Sequence, residues 1–92
     1  SIGDRVRAGS PSTREDLDEQ QRGVFEALRQ WRLELARVTE IPPFIIFNDR
    51  TLVELAKQQP LNDAELMAVS GIGEAKAERY GTDVLRVIAE SK

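Results

Sequence analysis

A chain of 92 residues with 40% hydrophobic and 32% charged content suits one small helix-rich domain and excludes a membrane span, which needs roughly 20 consecutive apolar residues. It has no cysteine and no histidine, which removes disulfide staples, thiol chemistry, the commonest general base and the commonest metal ligand. The formal net charge of -3 argues against bulk attraction to nucleic acid but allows a local basic stripe.

Residues 1–16 carry Gly3, Gly9, Ser10, Pro11, Ser12 and Thr13 with sparse apolar residues, and read as a flexible linker ahead of a domain over 17–92. Thr13 and Asp16 have capping-box spacing, so the first helix is expected to begin near Arg14. Leu17 to about Thr39 is the strongest helix signal. Val24, Leu28, Trp31, Leu35 and Val38 recur at steps of four and three, with Leu17 and Phe25 on the same side. The opposite face carries Arg22, Glu26, Arg29 and Arg37, with Arg32 at its shoulder. That spacing fits a solvated face with ion pairs, such as Arg22 with Glu26, and also a phosphate-contacting stripe. Leu33 lies on the polar face without a core role, a feature that fits a contact with the N-terminal segment or with a partner.

The chain is organised around Ile41-Pro42-Pro43-Phe44-Ile45-Ile46-Phe47-Asn48-Asp49, its only dense apolar run without helical period. Such a run can be a strand, but no second strand candidate exists to pair with it. It reads as a buried connector, with room for a turn of 3₁₀ helix, that plugs the core and sets the angle between flanking helices. Phe44 has two readings: a core residue, or a surface platform on which an unpaired base stacks.

Asn48 or Asp49 can cap the next helix, which runs from Asp49 through Lys57 with Leu52, Leu55 and Ala56 inward, and Pro60 ends the segment. Asn62 caps a short third helix, with Glu65 completing the box and Leu61, Leu66, Met67 and Val69 inward. Gly71-Ile72-Gly73 makes a tight turn into a helix from Glu74 carrying Lys76, Arg79 and Tyr80. Gly81-Thr82 is expected to break or kink that helix, with Thr82 capping a last one over Asp83 to about Glu90. The Gly-x-Gly turn fits packed helices. It also fits a helix-hairpin-helix, where free amides hold a phosphate, with Glu74 opposing and Lys76 and Arg79 favouring that use.

Taken together, Leu28 to Arg32, Ile41 to Asp49, Thr51-Leu52, Ala56, Pro60, Leu66, Gly71-Ile72-Gly73, Lys76 and Arg79-Tyr80-Gly81 closely resemble the HRDC domain, the helicase and ribonuclease D C-terminal domain. The resemblance spans about residues 20 to 90. It implies an all-α bundle of about five helices, non-catalytic and without metal or cofactor, tethered to a RecQ-family DNA helicase. It further implies that such a domain tunes substrate choice by weak binding of single-stranded or branched DNA. The resemblance assigns Phe44 to base stacking and Arg29, Arg32, Lys76 and Arg79 to phosphates, with Arg37 more loosely placed; Lys57 joins the expected phosphate-holding set as a basic residue of the second helix. The expected partners are DNA, the catalytic core of the parent helicase and other repair proteins, with the domain itself a monomer. The expected setting is intracellular: cytoplasm or nucleoid in a bacterium, nucleus in a eukaryote. Two alternatives stay open: a protein-interaction module docking on the helicase core, which the acidic balance and Leu33 favour, and an accessory domain of a ribonuclease D-like exonuclease.

Overall fold

A computed structural model describes residues 14–92. Five α-helices follow a 3₁₀ turn at Arg14–Asp16: α1 (Glu19–Thr39), α2 (Pro43–Ile46), α3 (Asp49–Gln58), α4 (Asp63–Met67) and α5 (Glu74–Ser91). No strand occurs among the described residues. The long α1 is the spine: α5, α3 and α2 pack on it, and α4 packs on α5.

Short polar residues set the helix starts. The expected box at Thr13 lies outside the described residues. The cap of α1 is instead Asp18, whose Oδ1 accepts from Gln21 N at 2.8 Å while Gln21 Oε1 accepts from Asp18 N at 3.1 Å. Asn48 caps α3 by accepting from Thr51 N at 2.8 Å. Asn62 caps α4 by accepting from Glu65 N at 2.9 Å, and Glu65 reaches back to Leu61 N rather than to the cap residue.

The core is continuous through Leu17, Val24, Phe25, Leu28, Ile46, Phe47, Leu52, Leu55, Leu66, Val84 and Ile88. Each such side chain stabilises the fold by about 1.5–3 kcal/mol. The buried stripe of α1 differs from the expected one. It advances in steps of four through Val24, Leu28, Arg32 and Ala36, turning about 40° per step, so Val38 ends 69% exposed and Arg32 ends inside. The expected Arg22–Glu26 pair does not form, because Glu26 is taken by Arg29 at 3.1 Å.

Two further expectations need correction. Leu61 and Met67 do not face inward: α4 is little more than one turn, and only Leu66 and the following Val69 reach the core. Gly81-Thr82 does not interrupt the last helix, which is continuous from Glu74 to Ser91. Gly81 is a packing notch: a Cβ there would stand 3.1 Å from Leu66 Cδ2.

Candidate nucleic-acid interface

The connector is one helical turn. Pro42 is its N-cap and Pro43 its first residue, where the missing amide costs nothing and the fixed φ is already helical. Ile45 N donates to Pro42 O at 3.0 Å and Phe47 N to Pro43 O at 3.2 Å. The phase of this turn sends Ile46 and Phe47 into the core and Phe44 and Ile45 outward. Phe44 is 66% exposed. The connector expected to be buried is therefore buried only at its C-terminal half, and of the two readings of Phe44 its exposure fits the surface one.

Phe47 anchors the turn. Its ring meets Trp31 at 6.0 Å and Tyr80 at 5.6 Å between centroids, the latter edge-on, and Trp31 and Tyr80 also meet edge-on at 6.1 Å. The connector is thus gripped between α1 and α5. Lys76 Nζ stands 5.4 Å from the Phe47 centroid, a cation–π contact.

Arg32 is a different residue from the surface cation its spacing suggested. It is 8% exposed. Its Nη1 donates to Phe47 O at 2.8 Å, and its Nη2 pairs with Asp49 Oδ1 at 2.9 Å. Its Nε is buried without a hydrogen-bond partner among the described residues. Buried and already paired on two of its nitrogens, Arg32 offers a phosphate little surface.

The remaining candidates lie at the surface or partly so. Arg29 is half-buried and holds Glu26. Lys57 and Lys76 are half-buried, in the last turn of α3 and the first of α5. Arg79 is exposed and makes no ion pair among the described residues. Arg37, which shared the polar stripe, is bound to Glu34 through Nε at 3.0 Å. Arg50, which carries no expected site role, is exposed in the first turn of α3. Its only sequence signal was a basic residue beside the Asn48 cap.

The glycine turn is asymmetric. Gly71 has φ +94°, and a Cβ there would collide with Thr51 Oγ1, so the turn is seated on α3. Gly73 is the N-cap of α5; no side chain caps the helix, and nothing lies within 4 Å of where a Cβ would stand. No side chain among the described residues takes the first amides of α5, and the exposed Glu74 stands beside them.

The HRDC domain family model matches residues 21–88. The chain belongs to the HRDC family. This HRDC domain is 45% identical over 65 residues to ATP-dependent DNA helicase RecQ of Bacillus subtilis, covering 71% of this chain and 11% of that protein. It is 40% identical over 73 residues to ATP-dependent DNA helicase UvrD2 of Mycobacterium tuberculosis, covering 79% and 10%. A ribonuclease D of Desulfotalea psychrophila is 33% identical over 75 residues, covering 82% and 20%. The HRDC domain thus spans about a tenth of the length of its helicase relatives. Among solved structures, D. radiodurans RecQ HRDC domain 3 superimposes with a TM-score of 0.74 at 40% identity, covering 76% of this chain and 92% of that one. The all-helical fold and the RecQ-like family expected from the sequence are both shown.

No helix among the described residues is long and apolar enough to cross a membrane, and no metal-binding cluster of carboxylates occurs among them.

Proposed function

We propose that this HRDC domain is a non-catalytic module tethered to a RecQ-like DNA helicase, and that it holds single-stranded or branched DNA weakly to bias the helicase's choice of substrate. The observation that supports this reading is Phe44, two-thirds exposed on a turn anchored by the buried Ile46 and by Phe47, its C-cap. A large ring held out on a rigid turn is a stacking platform for an unpaired base, worth about 1–3 kcal/mol per base. Arg29, Lys57, Lys76 and Arg79 hold phosphates in this reading, and Arg32 does not. Affinity is low because the chain is acidic overall, with 16 acidic against 13 basic residues. Tethering makes weak affinity sufficient by raising the effective concentration of DNA. The helicase relatives favour a helicase host over a ribonuclease D host, and the compartment follows that of the host.

The test is fluorescence anisotropy of a labelled single strand against the isolated domain over a salt series. Each neutralised phosphate contributes roughly -0.7 to the log–log salt slope of a single strand. Saturable binding with a slope of about -2 to -3 is expected. No binding at low salt overturns the reading.

A second reading is favoured by one specific feature. Leu33, Ala36, Ile41, Pro42 and Pro43 line an apolar hollow of about 540 Å³ between the end of α1 and the connector. A docking surface for the host's catalytic core would use it. A Leu33→Glu variant that loses binding to the separately produced core, while keeping DNA affinity, would support this reading.

A further inference from the structure

We infer that Arg32 and Asp49 form a positioning brace that sets the orientation of Phe44 for stacking, so that neither touches DNA and yet both are needed to bind it; this rests on the reading of Phe44 as a stacking platform. The turn that carries Phe44 is four residues long, far too short to hold its own geometry. It must be fixed from outside. On its N-terminal side the fixing is covalent, through the rings of Pro42 and Pro43. On its C-terminal side the buried Ile46 and Phe47 side chains anchor it, and Arg32 adds the polar tie that holds the backbone there. One guanidinium spans both ends of the junction: Nη1 takes the carbonyl of Phe47, the residue that closes α2, and Nη2 takes the carboxylate of Asp49, the residue that opens α3. The amide of that same Phe47 closes the turn on Pro43 O. A continuous path therefore runs from α1 through Arg32 and Phe47 to the backbone that carries Phe44.

The burial pattern supports a brace over a ligand contact. The Arg32 side chain is 10% exposed and its partner Asp49 is 75% exposed, so the carboxylate reaches in from the surface and caps the outer edge of the guanidinium. A phosphate approaching Arg32 meets Asp49 first.

This arrangement makes a prediction whose sign opposes simple electrostatics. Asp49→Asn removes a negative charge from an acidic domain. If charge alone mattered, binding to a polyanion would tighten. If Asp49 braces the turn, binding weakens, by about three- to tenfold for a partly lost stack. The experiment combines three measurements. Single-strand anisotropy compares wild type, Asp49→Asn, Phe44→Ala and the double variant. Amide exchange follows Ile45 and Phe47, whose amides close the turn, against Leu28 and Ile88 in the core. The salt slope is taken for each variant that binds.

The expected results are weaker binding by Asp49→Asn, an unchanged salt slope, and no further loss when Asp49→Asn is added to Phe44→Ala. Exchange at Ile45 and Phe47 is expected to rise about three- to tenfold with the core amides unmoved. Tighter or unchanged binding, or a loss that adds fully to that of Phe44→Ala, overturns the brace. Unchanged exchange at Ile45 and Phe47 overturns it as well, whatever the DNA does. If wild type binds no DNA at all, the proposed function fails instead, and the exchange measurement alone still decides whether the brace exists. Arg32→Lys provides a second route: it keeps the charge but cannot span both acceptors, and it should mimic Asp49→Asn.

Discussion

Lys76 on α5 holds its ammonium over the ring of Phe47, 5.4 Å from the centroid, and so ties the helix that follows the glycine turn to the connector that carries Phe44. The charge therefore works partly inside the fold. Lys76→Met should lower stability by about 0.5–1 kcal/mol in urea denaturation. Its effect on the single-strand salt slope should be smaller than that of Arg79→Met, because Arg79 is exposed and unpaired among the described residues.

Phe44 and Phe47 sit three residues apart and should respond oppositely to truncation. Phe44→Ala removes an exposed ring, so stability should stay within about 0.5 kcal/mol while single-strand affinity falls by about 1–3 kcal/mol. Phe47→Ala opens the centre of the aromatic cluster and should cost about 3–5 kcal/mol of stability. Denaturation and anisotropy on the same two variants separate the cases.

The glycines should sort by what surrounds them. Gly23 is exposed within α1 with nothing within 4 Å, so Gly23→Ala should stabilise by about 0.5–1 kcal/mol. Gly81→Ala gains the same helix propensity but drives a methyl to 3.1 Å from the Cδ2 of the fully buried Leu66, whose displacement would disturb the core, so a net loss of about 1 kcal/mol is expected. Gly71→Ala should cost more than Gly81→Ala, because it combines a left-handed backbone with a collision on Thr51. Thermal melts of the three rank them.

What the sequence made legible follows from where the determining contacts lie. The caps Asn48 and Asn62 act on amides three residues away, so local spacing revealed them. The apolar steps of α1 likewise revealed its extent, but only part of its buried stripe: Val24, Phe25 and Leu28 are inside, whereas Arg32 and Ala36 take the place expected for Val38. Arg32 was misread because its reason is 15 residues distant: the carbonyl of Phe47 needs a donor, and no periodicity reports that. Gly81 looked like a break because its partner, Leu66, belongs to another helix. Phe44 could not be placed, since two prolines fix where a turn starts but the grip of Trp31 and Tyr80 on Phe47 fixes which residues face out.

Arg32 also offers a case in which stability and binding should part. Its Nε is a buried donor without an acceptor, a defect that costs about 1–3 kcal/mol. Arg32→Met removes that donor and the cost of burying a charge, while stranding the Phe47 carbonyl and freeing Asp49, which is exposed and readily hydrated. These effects oppose each other and are of similar size, so stability should change by no more than about 1.5 kcal/mol in either direction. Single-strand binding should nevertheless weaken, because the turn beneath Phe44 loses its attachment to α1. Paired denaturation and anisotropy would check this. A large drop in stability with proportionate loss of binding would mean that Arg32 is ordinary core, and near-wild-type binding would mean that the grip of Trp31 and Tyr80 on Phe47 holds the turn unaided.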